Sequence, residues 1–178
     1  MWTIDSNLLQ KPQRREMDLA VLLDKFIVDT RPSGSGFPLI GGICVDLWCY
    51  WGINPIYILA HAIHETGFGK SSIFHDKNNL FGYRAYDKDP EKNAGYFDSE
   101  FGCIAVVMRV ILQLYLRQDG TYFHGASLRG MNEHYASDKN EPGDPLSWAD
   151  KICLWMNKIQ SFVDEKRKPK GGEIDDKK

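Results

Sequence analysis

The sequence lacks the patterns that mark several common classes of protein. Its four cysteines (Cys44, Cys49, Cys103 and Cys153) have no CxxC spacing, which argues against a zinc ribbon or a redox motif. The N-terminus has neither the cationic start nor the apolar run of a secretion signal, and no apolar stretch is long enough to span a bilayer. A formal charge of −2 gives no general attraction to nucleic acid. We therefore expect reduced, buried cysteines, no membrane insertion and no nucleic-acid partner.

The residues that are present are typical of one globular domain. Apolar residues make up 43% of the 178 positions, enough for a core. Their spacing predicts a mainly α fold of the α+β type, with helices over residues 12–29, 41–51, 55–67, 99–117 and 148–166 and a short helix capped by Ser71 or Ser72. Aromatics alternate with turn formers in LFGYRAYDKDPEKNAGYF, which predicts a small β-hairpin lobe over residues 80–97, with an irregular lobe as the alternative.

One helix carries a histidine–glutamate pair that raises the question of a zinc site. A zinc hydrolase motif of this kind needs a second histidine three residues after the glutamate. The residue three after Glu65 is Phe68, so that ligand is missing. His61 and His64 lie one turn apart, but Gly67 ends the helix directly afterwards. We therefore expect no metal here, and two histidines that hydrogen-bond polar neighbours near a cleft.

Glu65 instead suits the role of a general acid. It lies in the last turn of its helix, where the macrodipole disfavours a carboxylate, and the apolar neighbours Ile63 and Phe68 disfavour the charge further. Both effects raise the pKa of a carboxyl group. A protonated carboxyl beside a cleft is what cleavage of a glycosidic bond requires. The alternative is an ordinary exposed glutamate at a helix end.

The segments around Glu65 are rich in side chains that bind sugars. Sugar rings stack on aromatic side chains, and amides and guanidinium groups hydrogen-bond their hydroxyls. Candidates of these two kinds are Trp48, Tyr50, Trp51, Tyr57, Asn78, Asn79, Phe81, Tyr83, Arg84, Tyr86 and Tyr96. Core packing is the alternative for the aromatic residues, and it holds for some of them.

Several separated motifs agree, in order, with one known family. AHAIHETGFGKSSIFHDKNNLFGYRAYDKDP, followed by GMNEHYASD and WADKI, resembles the glucosaminidase domain of glycoside hydrolase family 73. The resemblance covers roughly residues 55–159. It implies a lysozyme-like helical fold and cleavage of bacterial peptidoglycan after N-acetylglucosamine, with no cofactor and no metal.

The resemblance also implies roles for particular residues. Glu65 takes the place of the catalytic acid, and Tyr135 matches a tyrosine that faces the acid across the cleft. Gly67 and Gly69 shape the turn beside the acid. The side chains expected to contact the sugar are His64, Phe68, Asn78, Asn79, Phe81, Tyr83 and Tyr86.

The second catalytic carboxylate is less well defined by the resemblance, because the family takes it from a mobile lobe. Glu91 is favoured, since it suits a lobe tip that closes on the substrate. The alternatives are Asp87, Asp89, Asp98 and Glu100, of which the last two resemble the cap and first turn of a helix. The N-acetyl group of the substrate can also take the nucleophile's part, with Glu65 acting alone.

We therefore predict a hydrolase that cleaves the β-1,4 bond after N-acetylglucosamine, acting as a monomer on peptidoglycan glycan strands. The alternatives are a muramidase or lytic transglycosylase on the same scaffold, or a non-catalytic glycan-binding module. Residues 1–166 are expected to form one domain, with a helical extension (1–40) before the catalytic core (41–166), and residues 167–178 a disordered charged tail. A bare domain without a secretion signal suggests a phage lysin, a virion-associated wall hydrolase or a piece of a longer protein.

Overall fold

A computed structural model describes residues 1–85, 89–136 and 141–168 of the chain. In these residues the backbone forms eight α-helices. They are α1 (Met17–Thr30), α2 (Gly41–Trp51), α3 (Pro55–Glu65), α4 (Ser72–Lys77), α5 (Pro90–Asn93), α6 (Glu100–Ile111), α7 (Leu128–Tyr135) and α8 (Ser147–Arg167). A π-helical turn over Leu112–Leu116 continues α6. Within this part of the chain, no helix combines the length and the apolar character that crossing a membrane would need.

Polar side chains define where five of these helices begin, one of which is α5, capped by Asp89. Asn54 accepts hydrogen bonds from two backbone N–H groups of α3, and Pro55 occupies the first helical position. Ser71, Ser99 and Ser127 cap α4, α6 and α7 in the same way. Such caps bind the N–H groups that have no partner inside the helix. The predicted starts of α3, α4 and α6 are therefore confirmed.

Helix α3 is the most deeply buried element of the fold. Every residue from Pro55 to Ile63 is buried. The helix packs against α2 and α8, and α1 packs against the same two helices. A helix that is buried all round must be surrounded by other elements, and its position is set by theirs. The core therefore fixes the location of Glu65, the last residue of α3.

The described residues of the 80–97 segment do not support the predicted β-hairpin and agree with the alternative, an irregular lobe. The described part of this segment contains turns and the short helix α5, and no strand. The backbone is left-handed at Gly82 (φ 61°) and Arg84 (φ 62°), which interrupts any extended path. The side chain of Asn79 binds two carbonyl groups of the segment, at 2.9 and 3.0 Å, in place of a strand ladder. Residues 86–88 lie outside the described residues.

The helix predicted over residues 12–29 begins later than expected, at Met17. Residues 12–16 have no regular structure. The chain just before them forms an isolated antiparallel bridge, between Leu9 and Ile53. The last helix, α8, agrees with its prediction to within one residue at each end. The predicted disordered tail falls largely on residues 169–178, which lie outside the described residues.

Residues before α2 contribute to the same hydrophobic core as the rest of the chain. Leu8, Leu23 and Phe37 are fully buried in it. Three of the four cysteines are buried as predicted, and Cys49 is partly buried. Burial raises the pKa of the Cys103 thiol to about 12, so this side chain packs as a neutral apolar group.

Candidate active site

Glu65 is presented by a tight left-handed turn that follows α3. The backbone has positive φ at Gly67 (56°), Phe68 (58°) and Gly69 (81°). Thr66 supports the turn, because its hydroxyl donates to the Ala62 carbonyl at 2.8 Å and accepts from the Gly69 N–H at 3.0 Å. The Glu65 side chain is only 12% exposed. The carboxyl group therefore lies at the edge of the core, with one small opening to solvent.

Two nitrogen atoms approach the same carboxyl oxygen of Glu65. The indole Nε1 of Trp148 donates a hydrogen bond to Oε1 at 2.9 Å. Nε2 of His61, one turn earlier on α3, lies 3.3 Å from the same oxygen. Burial disfavours the charged carboxylate, whereas a donated hydrogen bond favours it. The two effects oppose each other, and both restrict the orientation of the carboxyl group.

His61 links Glu65 to a buried tyrosine. The hydroxyl of Tyr57 lies 3.1 Å from Nδ1 of His61 and 3.4 Å from the sulfur of Met131. A hydroxyl has one proton, and an imidazole nitrogen accepts it better than a thioether does. With Tyr57 donating to Nδ1, the neutral ring carries its proton on Nε2, which faces Glu65. Burial and the charge of Glu65 raise the pKa of Tyr57 well above its usual value, so the phenol keeps its proton.

An aromatic cage encloses the imidazole of His61. The ring makes edge contacts with Phe81, Tyr135 and Trp148, at centroid distances of 5.1, 5.3 and 5.4 Å. Tyr135 also packs on Trp148 at 5.2 Å. Burial and the nearby Glu65 charge raise the pKa of Tyr135 well above its usual value. Tyr135 therefore lies in the group around the acid with a neutral hydroxyl that can donate a hydrogen bond.

A groove of about 420 Å³ opens beside this cage. Tyr135 and Phe81 belong to both the cage and the groove wall. The lining residues are Phe81, Gly82, Tyr83, Arg84, Val107, Val110, Ile111, Tyr115 and Tyr135. The guanidinium of Arg84 lies over the Tyr83 ring, 5.5 Å from its centroid. The groove thus combines aromatic faces with one cation, which is the composition of a sugar-binding surface.

The other residues predicted to contact sugar lie in varied surroundings. Phe68 is 5% exposed, and its ring packs edge-on against Phe37 and Trp155. Asn79 is 1% exposed and holds the backbone of the following turns. Both side chains have a structural role in these contacts, and their contact with sugar stays a prediction.

Asn78 and His64 are more accessible than Phe68 and Asn79. Asn78 ends α4 in a left-handed conformation, and its amide donates to the Phe97 carbonyl at 2.9 Å. His64 is partly exposed, next to Glu65 at the end of α3. Tyr86, also predicted to contact sugar, lies outside the described residues.

The candidates for the second carboxylate lie on or near α5 and α6. Glu91 is exposed on α5, where its carboxylate accepts a hydrogen bond from the Ser72 hydroxyl at 2.9 Å. Asp89 caps α5. Glu100 is the first residue of α6, and Asp98 directly precedes its cap, as the sequence suggested. Asp87 lies outside the described residues. The catalytic role of Glu91 stays a prediction.

Sequence reasoning missed the partners of Glu65. Tyr57, His61 and Glu65 follow one another at four-residue spacing, which places them on one face of α3. That spacing was the available signal for the chain of contacts. Trp148 is far away in sequence and reads as an apolar residue at the start of α8, so spacing alone cannot pair it with Glu65.

Comparison with known sequences identifies the family. Residues 43–161 match the family model of glucosaminidases, described as mannosyl-glycoprotein endo-beta-N-acetylglucosaminidase. Two relatives from Streptococcus pneumoniae, from serotype 4 and from a second strain, are each described as a putative endo-beta-N-acetylglucosaminidase. Each is 38% identical to the chain over 110 residues, or 62% of it. The chain covers 16% and 14% of the length of these two relatives.

Solved structures agree on the fold. Autolysin E of Staphylococcus aureus in complex with the muropeptide NAM-L-Ala-D-iGlu superimposes with a TM-score of 0.60 at 21% identity. A catalytic glutamate-to-alanine mutant of the same autolysin, in complex with the disaccharide NAG-NAM, gives 0.62 at 19%. Each match covers 89% of this chain and 72% of the other. With the family model matching most of the chain, the protein belongs to the glucosaminidase family of glycoside hydrolases.

Proposed function

We propose that this chain hydrolyses the glycan strands of bacterial peptidoglycan at the β-1,4 bond after N-acetylglucosamine, with Glu65 as the general acid. The observation that carries the proposal is the position of Glu65. Its carboxyl group is 12% exposed at the end of a buried helix, and Trp148 and His61 approach one of its oxygens. A carboxyl in such a site can be held in one orientation and can exchange its proton with a ligand in the cleft.

The proposed reaction begins with proton transfer from Glu65 to the glycosidic oxygen. The bond between that oxygen and the anomeric carbon then breaks, and the electron pair leaves with the oxygen. The anomeric carbon is stabilised either by the carbonyl of the substrate's own N-acetyl group or by a carboxylate, for which Glu91 is our candidate. Water then adds to that carbon and returns a proton to Glu65.

The groove beside the aromatic cage, with which it shares Phe81 and Tyr135, supports a glycan as the ligand. Tyr83 offers a partly exposed aromatic face beside the buried Phe81, and Arg84 and the neutral hydroxyl of Tyr135 can hydrogen-bond sugar hydroxyls. The autolysin of similar fold was solved with muropeptide and with NAG-NAM, which contain the two sugars of peptidoglycan. That likeness supports the substrate class, and the choice of bond rests on the family.

The experiment that tests the proposal is digestion of purified peptidoglycan by the wild type and by Glu65→Gln. New reducing ends are converted with borohydride and identified by mass spectrometry. We expect reduced N-acetylglucosamine ends, formed about 10²–10⁴-fold more slowly by the variant because a general acid contributes on that scale. Glu165→Gln, an exposed site on α8, is the matched control and should digest like the wild type.

Each other outcome replaces part of the proposal. Reduced muramic ends or anhydro products would make the protein a muramidase or a lytic transglycosylase. Equal, negligible cleavage by wild type and variant would favour a non-catalytic glycan-binding module. Digestion by Glu91→Gln distinguishes stabilisation of the anomeric carbon by Glu91 from stabilisation by the substrate's N-acetyl group. Only the first of these predicts a large loss of rate in this variant.

A further inference from the structure

A cluster of side chains that could ligate a metal ion lies outside the proposed active site. His124 lies in the connection before α7, and Glu133 and His134 are neighbours on α7. One potential ligand atom from each side chain lies within 4.8 Å of the others, and all three side chains are exposed. Nothing in the proposed cleavage of glycan uses these residues.

The spacing of the two imidazoles matches that of two ligands on one metal ion. Nε2 of His124 lies 3.1 Å from Nε2 of His134. A zinc–nitrogen bond is about 2.0–2.1 Å long, so two nitrogens at angles between a right angle and a tetrahedral one lie roughly 2.9–3.4 Å apart. The observed separation falls inside that range. An ion could therefore bind both nitrogens with little movement of either ring.

Glu133 supplies the outer contact that metal-binding histidines usually have. Its carboxylate lies 3.3 Å from Nδ1 of His124, on the side of the ring opposite the shared Nε2 position. A histidine that ligates through one nitrogen generally donates its other N–H to a carboxylate, which fixes the tautomer and the ring orientation. With Glu133 accepting from Nδ1, His124 presents a free electron pair on Nε2.

The backbone holds the two histidines together. Gly130 lies one turn before His134 on α7, and the connection carrying His124 packs directly against it. A Cβ atom at position 130 would lie 2.2 Å from the Gly125 carbonyl oxygen and 2.6 Å from that of His124. The ring of Tyr122 also packs on His134, at a centroid distance of 5.2 Å. The juxtaposition of the imidazoles thus rests on backbone packing as well as on side-chain rotamers.

We propose that His124 and His134 chelate one divalent transition-metal ion of borderline softness through their Nε2 atoms, with Glu133 orienting His124. Imidazole ligands suit Zn²⁺, Cu²⁺ and Ni²⁺, whereas Mg²⁺ and Ca²⁺ prefer oxygen. Water fills the remaining coordination positions. The bound ion joins the 117–127 connection to α7, the helix that ends at Tyr135 beside the acid.

A hydrogen bond between two neutral imidazoles would also give a 3.1 Å separation, so the test must measure metal binding itself. The purified chain is freed of metal with a chelator and titrated with Zn²⁺ against a chromophoric competitor. We expect one ion per chain, with affinity at least tenfold lower in His134→Ala and His124→Ala. The paramagnetic resonance spectrum of bound Cu²⁺ should show coupling to two imidazole nitrogens.

Two variants serve as matched controls. His75→Ala removes an exposed histidine on α4, and Cys49→Ser removes the partly buried thiol, so both should bind zinc like the wild type. Far-UV circular dichroism checks that each variant is folded. Equal zinc uptake by the wild type and a His124→Ala/His134→Ala double variant, or no uptake by either, would overturn the proposal.

Discussion

Replacing Trp148 by phenylalanine tests how the protein controls the acid. The substitution keeps an aromatic ring in the cage but removes the indole N–H, which donates to Glu65 at 2.9 Å. Indole nitrogen can only donate, and a charged carboxylate oxygen accepts more strongly than the carbonyl oxygen of the acid form, so this bond stabilises the carboxylate more than the acid form. Without it the carboxyl should hold its proton to higher pH. A general acid, the role we propose for Glu65, is active while protonated, so the alkaline limb of the pH profile of kcat/KM should move to higher pH.

The size of the shift follows from the strength of the lost bond. A hydrogen bond to a charged group contributes about 1.5–3 kcal/mol, and one pH unit corresponds to about 1.4 kcal/mol. Glu65 is 12% exposed, so a water molecule can replace part of the lost interaction. We therefore expect the lower end of the range, a shift of about one pH unit.

The assay is the rate of release of reducing ends from soluble peptidoglycan fragments across the pH range. The matched control is Trp155→Phe, the same change on the same helix, at a ring that packs on Phe68. The control should leave the alkaline limb in place. A limb that stays fixed in Trp148→Phe, or moves to lower pH, would refute the argument that this bond stabilises the Glu65 carboxylate in the proposed general acid.

Two further predictions concern the turns around the site. Asn79→Ala removes hydrogen bonds to backbone groups, including the 2.9 Å bonds to the Tyr83 carbonyl and N–H. It should lower the free energy of unfolding, measured by urea titration, by about 2–4 kcal/mol. Gly69→Ala places a Cβ atom 2.7 Å from the Phe37 backbone nitrogen at φ 81° and should also lower it by about 2–4 kcal/mol. Gly67→Ala, at φ 56° with its nearest contact at 4.0 Å, should lower it by only about 1 kcal/mol, and equal effects at the two glycines would contradict this account.

The helix starts could be predicted from sequence because their signals are local. Asn54 followed by Pro55, and Ser99 before an apolar run, each specify a cap within four residues, and both caps form. The hairpin prediction failed because the contacts that shape this segment run from a side chain to the backbone. Asn79 binds the turns around it, and no alternation of aromatics reveals that an amide side chain will replace a strand ladder.

The site shows the same division between local and distant signals. The position of Glu65 at a helix end and the motif around it were enough to single it out as the candidate acid. Trp148 could not be paired with it, because 83 residues separate the two and only the packing of α8 on α3 joins them. The environment of the carboxyl group therefore depends on tertiary structure that the motif does not contain.

Contacts among the polar residues of α3 explain why these residues can be buried in an otherwise apolar helix. A phenol and an imidazole buried at Tyr57 and His61 would each cost several kcal/mol without hydrogen-bond partners. Each lies within reach of a partner in the series, Tyr57 to His61 at 3.1 Å and His61 to Glu65 at 3.3 Å. The series ends at the one carboxyl group of the helix, where the core meets the cleft. A single polar face thus satisfies the buried groups and at the same time fixes the orientation of Glu65, which is why packing and the proposed chemistry depend on the same residues.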